Sequence, residues 1–182
     1  KEKEYCMTNR IFKFIKDNRV FLSILTIGLL FRIYKPLQSY MYAHDQDLAG
    51  WIIKDVLINK HLRLIGQETS SQGVFIGPLF YYLQIPFYLL TDMDPSGTII
   101  LVTLLGVLTI FSFYFCFSKM FGNKVGFIAS FIYAVTIYYV NTDREVVPTM
   151  PVYLWSVWFF YGTWLNLKGK SRAYVLLGFL IG

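Results

Sequence analysis

Three long runs without a charged side chain constrain this chain more than any other feature of its sequence. Residues 98–117 are twenty consecutive residues without a charge, residues 125–140 are sixteen and residues 150–167 are eighteen. A helix of about twenty apolar residues crosses a bilayer, whereas the helices of a soluble core carry polar residues at helical spacing. The charged fraction is 15%, and soluble domains carry about 25%. We therefore predict an all-α protein that crosses a membrane several times.

Two further apolar segments complete the predicted arrangement. Residues 20–34 follow a basic segment and lack a small-residue cleavage site, which favours an uncleaved signal anchor. The chain lacks an initiator Met and stops within the apolar run that starts at Ala173, so we expect an N-terminal piece of a longer protein.

The predicted single transmembrane domain, 1–182, divides into a cytoplasmic segment 1–19, spans 20–34, 98–117, 125–140 and 150–167, an outer loop 35–97, and the start of a further span at 173–182. In the third span, Gly126, Ser130 and Ala134 predict a helix-packing face.

Residues 77–91 decide the sidedness of everything that follows them, because they are apolar but only fifteen residues long and contain Pro86. If they do not cross, eleven of the seventeen Lys and Arg residues lie in cytoplasmic segments, as the positive-inside rule requires. We therefore expect an interfacial or re-entrant segment broken at Pro86, a cytoplasmic N-terminus and a multi-pass protein of the plasma membrane. The net charge of +6 is then a topology signal and does not indicate nucleic-acid binding.

The first outer loop carries a carboxylate on an apolar helix face. Residues 48–60 have helical spacing, and Ala49, Ile53 and Val56 share one face with Asp45 near its middle. A carboxylate in that position is costly unless it is used or satisfied, so Asp45 is the candidate catalytic base. The alternative is that Asp45 is simply the N-cap of this helix.

Metal binding is a further alternative for the same segment. Asp45 and Asp47 offer oxygen ligands of the kind that Mg²⁺ and Mn²⁺ prefer, but a helix separates their side chains by about 200°. His44 has no partner at metal-ligand spacing. We therefore predict no cofactor, since the spacing does not support a divalent metal, and we treat His44 and Asp47 as candidate substrate-binding residues.

The second outer loop, residues 141–149, contains Arg144 as its one cation. A guanidinium between two spans suits a phosphate or diphosphate headgroup. The alternative is a local ion pair with Asp143 or Glu145, and Glu145 is also a candidate substrate-binding residue. In the first loop, the polar residues 67–73 suit either sugar hydroxyls or a plain surface loop.

The order of these features resembles the N-terminal part of the GT-C-fold glycosyltransferases. The pattern is a basic N-terminus, one span, Asp45 at the start of an outer loop, Gly-Val-Phe-Ile-Gly-Pro-Leu-Phe-Tyr-Tyr from residue 73, Phe-Gly-Asn-Lys from residue 121, and a Tyr/Arg-containing loop ahead of a Pro. The branch that it resembles includes bacterial protein O-mannosyltransferases and the lipid A aminoarabinose transferase. The resemblance extends over about residues 20–182.

This resemblance implies a GT-C-like bundle with amphipathic juxtamembrane helices in its first outer loop. It also implies transfer of a hexosyl or pentosyl group from a polyprenyl-phosphate-linked donor to a glycan, lipid or protein acceptor outside. Asp45 matches the family's acidic position, a catalytic base or metal contact, because Asp-Gln is the recurrent pair. Asp143, Arg144 and Glu145 are all eligible for the charged residue of the second loop. The expected partners are these substrates and membrane lipids, without nucleic acid.

Two other functional classes are alternatives to an enzyme. A transporter or lipid flippase usually has broken helices or ionisable residues near the middle of the bilayer, whereas the predicted spans carry no charge there and Arg32 lies at the end of one. A membrane scaffold without chemistry is the other class, and an outer cavity lined by Asp45 and Arg144 would argue against it.

Overall fold

A computed structural model of the protein describes residues 18–40 and 42–181, which form helices and loops without a named strand. The prediction of an all-α fold is confirmed for these residues. Most of the predicted cytoplasmic segment 1–19 lies outside them. The described helices are α1 (Arg19–Ile33), α2 (Pro36–Ser39), α3 (His44–Asn59), α4 (Leu79–Leu90), α5 (Thr98–Phe121), α6 (Asn123–Val135), α7 (Ile137–Thr142), α8 (Val152–Leu167) and α9 (Arg172–Ile181).

Helix α5 and the 3₁₀ turn before it form the longest apolar helical stretch. Together they span Pro95–Phe121, 27 residues whose most apolar window has a mean hydropathy of 2.5. Within the described part of the chain this is the one stretch long and apolar enough to cross a membrane, and α4, α6 and α9 are apolar but shorter. Asp94 starts the stretch by accepting a hydrogen bond from the N–H of Ser96 at 2.8 Å. The crossing at residues 98–117 is therefore matched by a helix of sufficient length, and the other crossings stay predictions.

Helix α5 is also the centre of the packing, since it contacts α1, α4, α6 and α8. Its middle residue Ile110 is fully buried between α1 and α6. The predicted packing face of α6 is confirmed, because Gly126, Ser130 and Ala134 are all buried. A Cβ atom at Gly126 would lie 1.9 Å from the hydroxyl of Ser118. The absence of a side chain there lets α5 and α6 approach closely.

The residues of the predicted span 125–140 form two helices, and the crossing itself stays a prediction. Helix α6 ends at Val135, and Thr136 has an extended backbone with φ −68° and ψ 121° before α7 begins. In an unbroken helix the carbonyl of Ala134 would accept from the N–H four residues later. Here it accepts a 3.3 Å hydrogen bond from Nη1 of Arg32 instead. The break thus supplies a backbone acceptor to a buried cation.

The predicted break at Pro86 is wrong, because α4 continues through this residue as a single helix. Pro86 cannot donate a backbone hydrogen bond, and an internal proline costs about 3 kcal/mol. Tyr81 and Tyr88 lie on either side of Pro86, and both pack into one buried cluster with Ala49 and Ile53 of α3. Side-chain burial on both sides of the proline offsets the local penalty.

We predict that α4 lies on the outer side without crossing, because the distribution of Lys and Arg requires it. Ser96→Cys and Ser171→Cys, each introduced without Cys6 and Cys116, should separate the two sides of the membrane. The thiol at position 96 should react with an impermeant maleimide added outside to whole cells, and the thiol at position 171 only after the membrane is opened. The reverse pattern would contradict the predicted topology.

Candidate active site

Helix α3 begins earlier than its apolar spacing indicates, and this places Asp45 inside its first turn. Ala43 is the N-cap residue, and its backbone N–H donates to Oε1 of Gln46 at 3.0 Å. Asp45 is therefore not the N-cap, and the capping interpretation of this residue is wrong. The helix dipole favours a carboxylate in the first turn, and the Asp45 oxygens are left for contacts outside the helix.

The side chain of Asp45 is half-buried and contacts the outer loop. Its Oδ1 accepts a 2.6 Å hydrogen bond from Nε2 of Gln67. A short antiparallel pairing positions Gln67, since the N–H of Ile76 donates to the Gln67 carbonyl and the N–H of Gly66 donates to the Ile76 carbonyl, both at 2.9 Å. A Cβ atom at Gly66 would lie 2.4 Å from the carbonyl oxygen of Ile76. The polar patch 67–73 thus supplies a direct partner of Asp45 through its first residue.

Helix α4 contributes Tyr81 to the surroundings of Asp45. Tyr81 is 3% exposed and packs in a cluster with Ala49, which lies one turn after Asp45 on α3. Burial raises the pKa of the Tyr81 hydroxyl, the charge of Asp45 raises it further, and the charge of Arg63 lowers it. The hydroxyl therefore stays protonated near neutral pH and can donate a hydrogen bond.

Two buried polar atoms in the surroundings of Asp45 have no hydrogen-bond partner among residues 18–40 and 42–181. They are the hydroxyl of Tyr81 and Oε1 of Gln67. Nε of Arg63 is also unpaired among these residues, but this guanidinium contacts Asp55 through Nη2 at 3.3 Å. Buried polar atoms are nearly always paired, because an unpaired one costs about 1–3 kcal/mol. The unpaired atoms of Tyr81 and Gln67 near one carboxylate favour a site for a polar ligand over a plain packing contact.

Asp47 lies away from Asp45, as the helical projection predicts. Its side chain is exposed, and its Oδ1 accepts a 3.2 Å hydrogen bond from the hydroxyl of Tyr42. Asp47 lines an open groove of about 550 Å³ together with Trp51 and Lys54. The structure therefore does not bring the two carboxylates together on one ligand.

Two other candidate residues, His44 and Glu145, are both exposed. Their contacts with a substrate stay predictions. In the described part of the chain, no group of three or more His, Cys, Asp or Glu side chains is arranged to hold a metal ion.

The second outer loop contacts the start of α3 through Gln46. This residue is 5% exposed, and its Nε2 donates to the carbonyl of Val146 at 3.0 Å while its Oε1 caps the helix. Val146 is itself buried among α4 and α5 residues, including Phe80 and Leu101. The loop thus connects the helix that carries Asp45 to the central helix α5.

Arg144 does not form the local ion pair that was the alternative to phosphate binding. Its Nη2 donates to the carbonyls of Phe31 and Tyr34 at the end of α1, and its Nη1 donates to the hydroxyl of Ser39 at 3.3 Å. These partners are all neutral. The contacts orient the guanidinium without compensating its charge, and Asp143 is engaged elsewhere.

Arg144 also stands at the edge of an apolar groove of about 370 Å³ between α1 and the broken helix α6–α7. Its other lining residues include Phe31, Val135 and Ile137. A cation beside an apolar groove has the chemical character that a lipid phosphate requires.

A buried ion pair joins α1 to the second outer loop, and the sequence patterns did not predict it. Arg32 and Asp143 have fully buried side chains, and Nη2 and Nε of Arg32 donate to Oδ2 of Asp143 at 2.5 and 2.9 Å. Tyr133 of α6 donates its hydroxyl to Oδ1 of Asp143 at 2.7 Å. The available signal was that Arg32 is the one charge in the apolar run 20–34, because charges within spans usually pair inside the protein.

Comparison with known proteins gives the family of the chain. The family described as dolichyl-phosphate-mannose-protein mannosyltransferase matches residues 76–182, more than half of the sequence. Searches among curated proteins and among solved structures each gave no match. The matched residues include Tyr81 and Arg144, whereas Asp45 and Gln67 precede them. This match supports the resemblance to GT-C-type glycosyltransferases without selecting a branch, and the chain belongs to the dolichyl-phosphate-mannose-protein mannosyltransferase family.

Proposed function

We propose that the protein is a membrane glycosyltransferase acting on the outer side of the membrane. It transfers a hexosyl or pentosyl group from a polyprenyl-phosphate-linked donor to a hydroxyl of a glycan, lipid or protein acceptor. The observation that carries the proposal is Asp45, a half-buried carboxylate near the unpaired buried polar atoms of Gln67 and Tyr81. The family name supports mannose on a dolichyl-type phosphate as the first donor to test.

In the proposed reaction Asp45 is the general base. Gln67 holds Oδ1, so Oδ2 takes the proton of the acceptor hydroxyl. The acceptor oxygen bonds to the anomeric carbon while the bond from that carbon to the phosphate oxygen breaks. The lipid phosphate leaves with the electron pair, and the configuration at the anomeric carbon inverts.

Arg144 is the proposed electrostatic partner of the departing phosphate. Its protein partners are the neutral oxygens of Phe31, Tyr34 and Ser39, so its positive charge remains to interact with an anion. The adjacent apolar groove suits part of the isoprenoid chain. Stabilisation of the charge that develops on the leaving group accelerates the transfer.

Arg144→Lys is expected to raise the KM for the lipid-linked donor by about 10-fold. An ammonium keeps the charge but cannot reproduce the planar guanidinium fork. The contacts of that fork with the oxygens of Phe31, Tyr34 and Ser39 orient the charge. The measurement is initial transfer rate against donor concentration, with thermal stability recorded for the same preparation.

Ser39→Ala is the matched control for Arg144→Lys. It removes one neutral partner of the guanidinium and leaves the charge in place, so the donor KM should change little. An unchanged donor KM in Arg144→Lys would reduce Arg144 to a residue that secures the end of α1.

The transfer reaction itself is tested with the full-length protein in liposomes that contain radiolabelled polyprenyl-phosphate mannose. Cell-envelope glycans, lipids and proteins are supplied as separate acceptor fractions. Radiolabel that moves to one fraction, with release of polyprenyl phosphate, is the expected result. A donor that crosses the bilayer without losing its sugar would instead indicate a flippase.

A further inference from the structure

We propose that the hydroxyl of Tyr81 and the side-chain carbonyl of Gln67 form a subsite that binds a sugar hydroxyl beside Asp45. The inference rests on the proposed glycosyl transfer and adds two substrate-contacting residues to it. Neither residue was among the predicted site residues, although Gln67 opens the polar patch of the outer loop.

The hydroxyl of Tyr81 is carried by a buried ring that packing holds in place. Tyr81 is 3% exposed, and its ring is positioned by packing with Ala49 and Ile53 of α3. The hydroxyl has no partner among the described residues, so it contributes nothing to packing that a phenylalanine would not. A buried hydroxyl without a hydrogen-bond partner in the protein lowers the free energy of unfolding, unless a ligand pairs with it.

The carbonyl of Gln67 supplies the complementary group. Its amide nitrogen is used by Asp45 at 2.6 Å, which fixes the orientation of the amide and directs Oε1 away from the carboxylate. This Oε1 is likewise buried and unpaired within the described ranges. A protonated tyrosine donates and an amide oxygen accepts, and a sugar hydroxyl can do both at once.

Two neighbouring tyrosines of α4, Tyr81 and Tyr82, allow a matched test. The hydroxyl of Tyr82 donates to the backbone carbonyl of Arg63 at 2.7 Å, so Tyr82→Phe removes a structural hydrogen bond. Tyr81→Phe removes a hydroxyl that has no such bond in the described protein. The same chemical change is therefore expected to lower thermal stability at position 82 and to leave it unchanged or higher at position 81.

Binding is measured with two probes, polyprenyl-phosphate mannose and polyprenyl phosphate without a sugar. If the subsite holds a hydroxyl of the donor, Tyr81→Phe should weaken binding of the first probe by about 10-fold and leave binding of the second unchanged. If it holds a hydroxyl of the acceptor, both affinities stay unchanged and the KM for the acceptor rises by about 10-fold instead.

The proposal is overturned if Tyr81→Phe matches the unsubstituted protein in donor binding, donor KM and acceptor KM. It is also overturned if both tyrosine variants lose stability and activity in parallel, because Tyr81 would then be structural. Failure of glycosyl transfer as the function is distinguishable, since the unsubstituted protein would then transfer no sugar at all.

Discussion

Replacement of Asp45 by asparagine is expected to lower the turnover of sugar transfer by roughly 10²- to 10⁴-fold, the usual contribution of a general base. The amide has nearly the same size, and its oxygen can still accept the hydrogen bond from Gln67 that the carboxylate accepts at 2.6 Å. It cannot take a proton from an acceptor hydroxyl. Folding and membrane insertion should therefore stay nearly intact, and the readout is turnover at saturating donor and acceptor.

Asp47→Asn is the matched control, because Asp47 lies in the same helical turn but is exposed and contacts Tyr42 instead of Gln67. Its loss of turnover should be far smaller. Equal losses in the two variants would favour a shared metal or a joint contact with one substrate. Undiminished turnover in Asp45→Asn would remove Asp45 from the chemistry.

Asp143→Asn is expected to destabilise the folded protein by about 3–5 kcal/mol, the usual effect of removing one partner from a buried ion pair. The side chains of Arg32 and Asp143 are fully buried, so the remaining guanidinium would have no compensating charge beside it. Gly106 of α5 lies against the pair, and a Cβ atom there would be 2.6 Å from Nε of Arg32. Such close packing restricts any relaxation. The measurement is equilibrium unfolding of the purified protein in detergent.

A triple variant that carries Arg32→Met, Asp143→Leu and Tyr133→Phe is the control for this prediction. It removes the two charges and the hydroxyl that pairs with them, and the carbonyl of Ala134 loses only its 3.3 Å hydrogen bond from Arg32. Apolar replacement of a buried ion pair is often neutral, and the triple variant should be more stable than Asp143→Asn. If Asp143→Asn alone unfolds like the unsubstituted protein, the ion pair does not hold α1 to the second outer loop.

Local sequence patterns predicted the helices better than their ends and interruptions. The run 98–117 falls inside α5, and the small residues of α6 are buried as their spacing indicates. The break predicted at Pro86 is absent, whereas the break at Thr136 was not predicted. Packing against other helices decides whether a local preference is obeyed, and it keeps α4 continuous while Arg32 binds the carbonyl that the break in α6 exposes.

The sequence by itself determined that the chain is helical and strongly apolar, because charge-free runs of this length have few other stable structures. It also singled out Asp45, since a carboxylate among apolar side chains is visible from helical spacing alone. The tertiary structure decided what surrounds Asp45. Gln67 binds it from a loop pairing, and Tyr81 of another helix lies close enough for the charge of Asp45 to raise the pKa of its hydroxyl. Proximity between distant segments depends on the path of the chain, which local spacing does not encode.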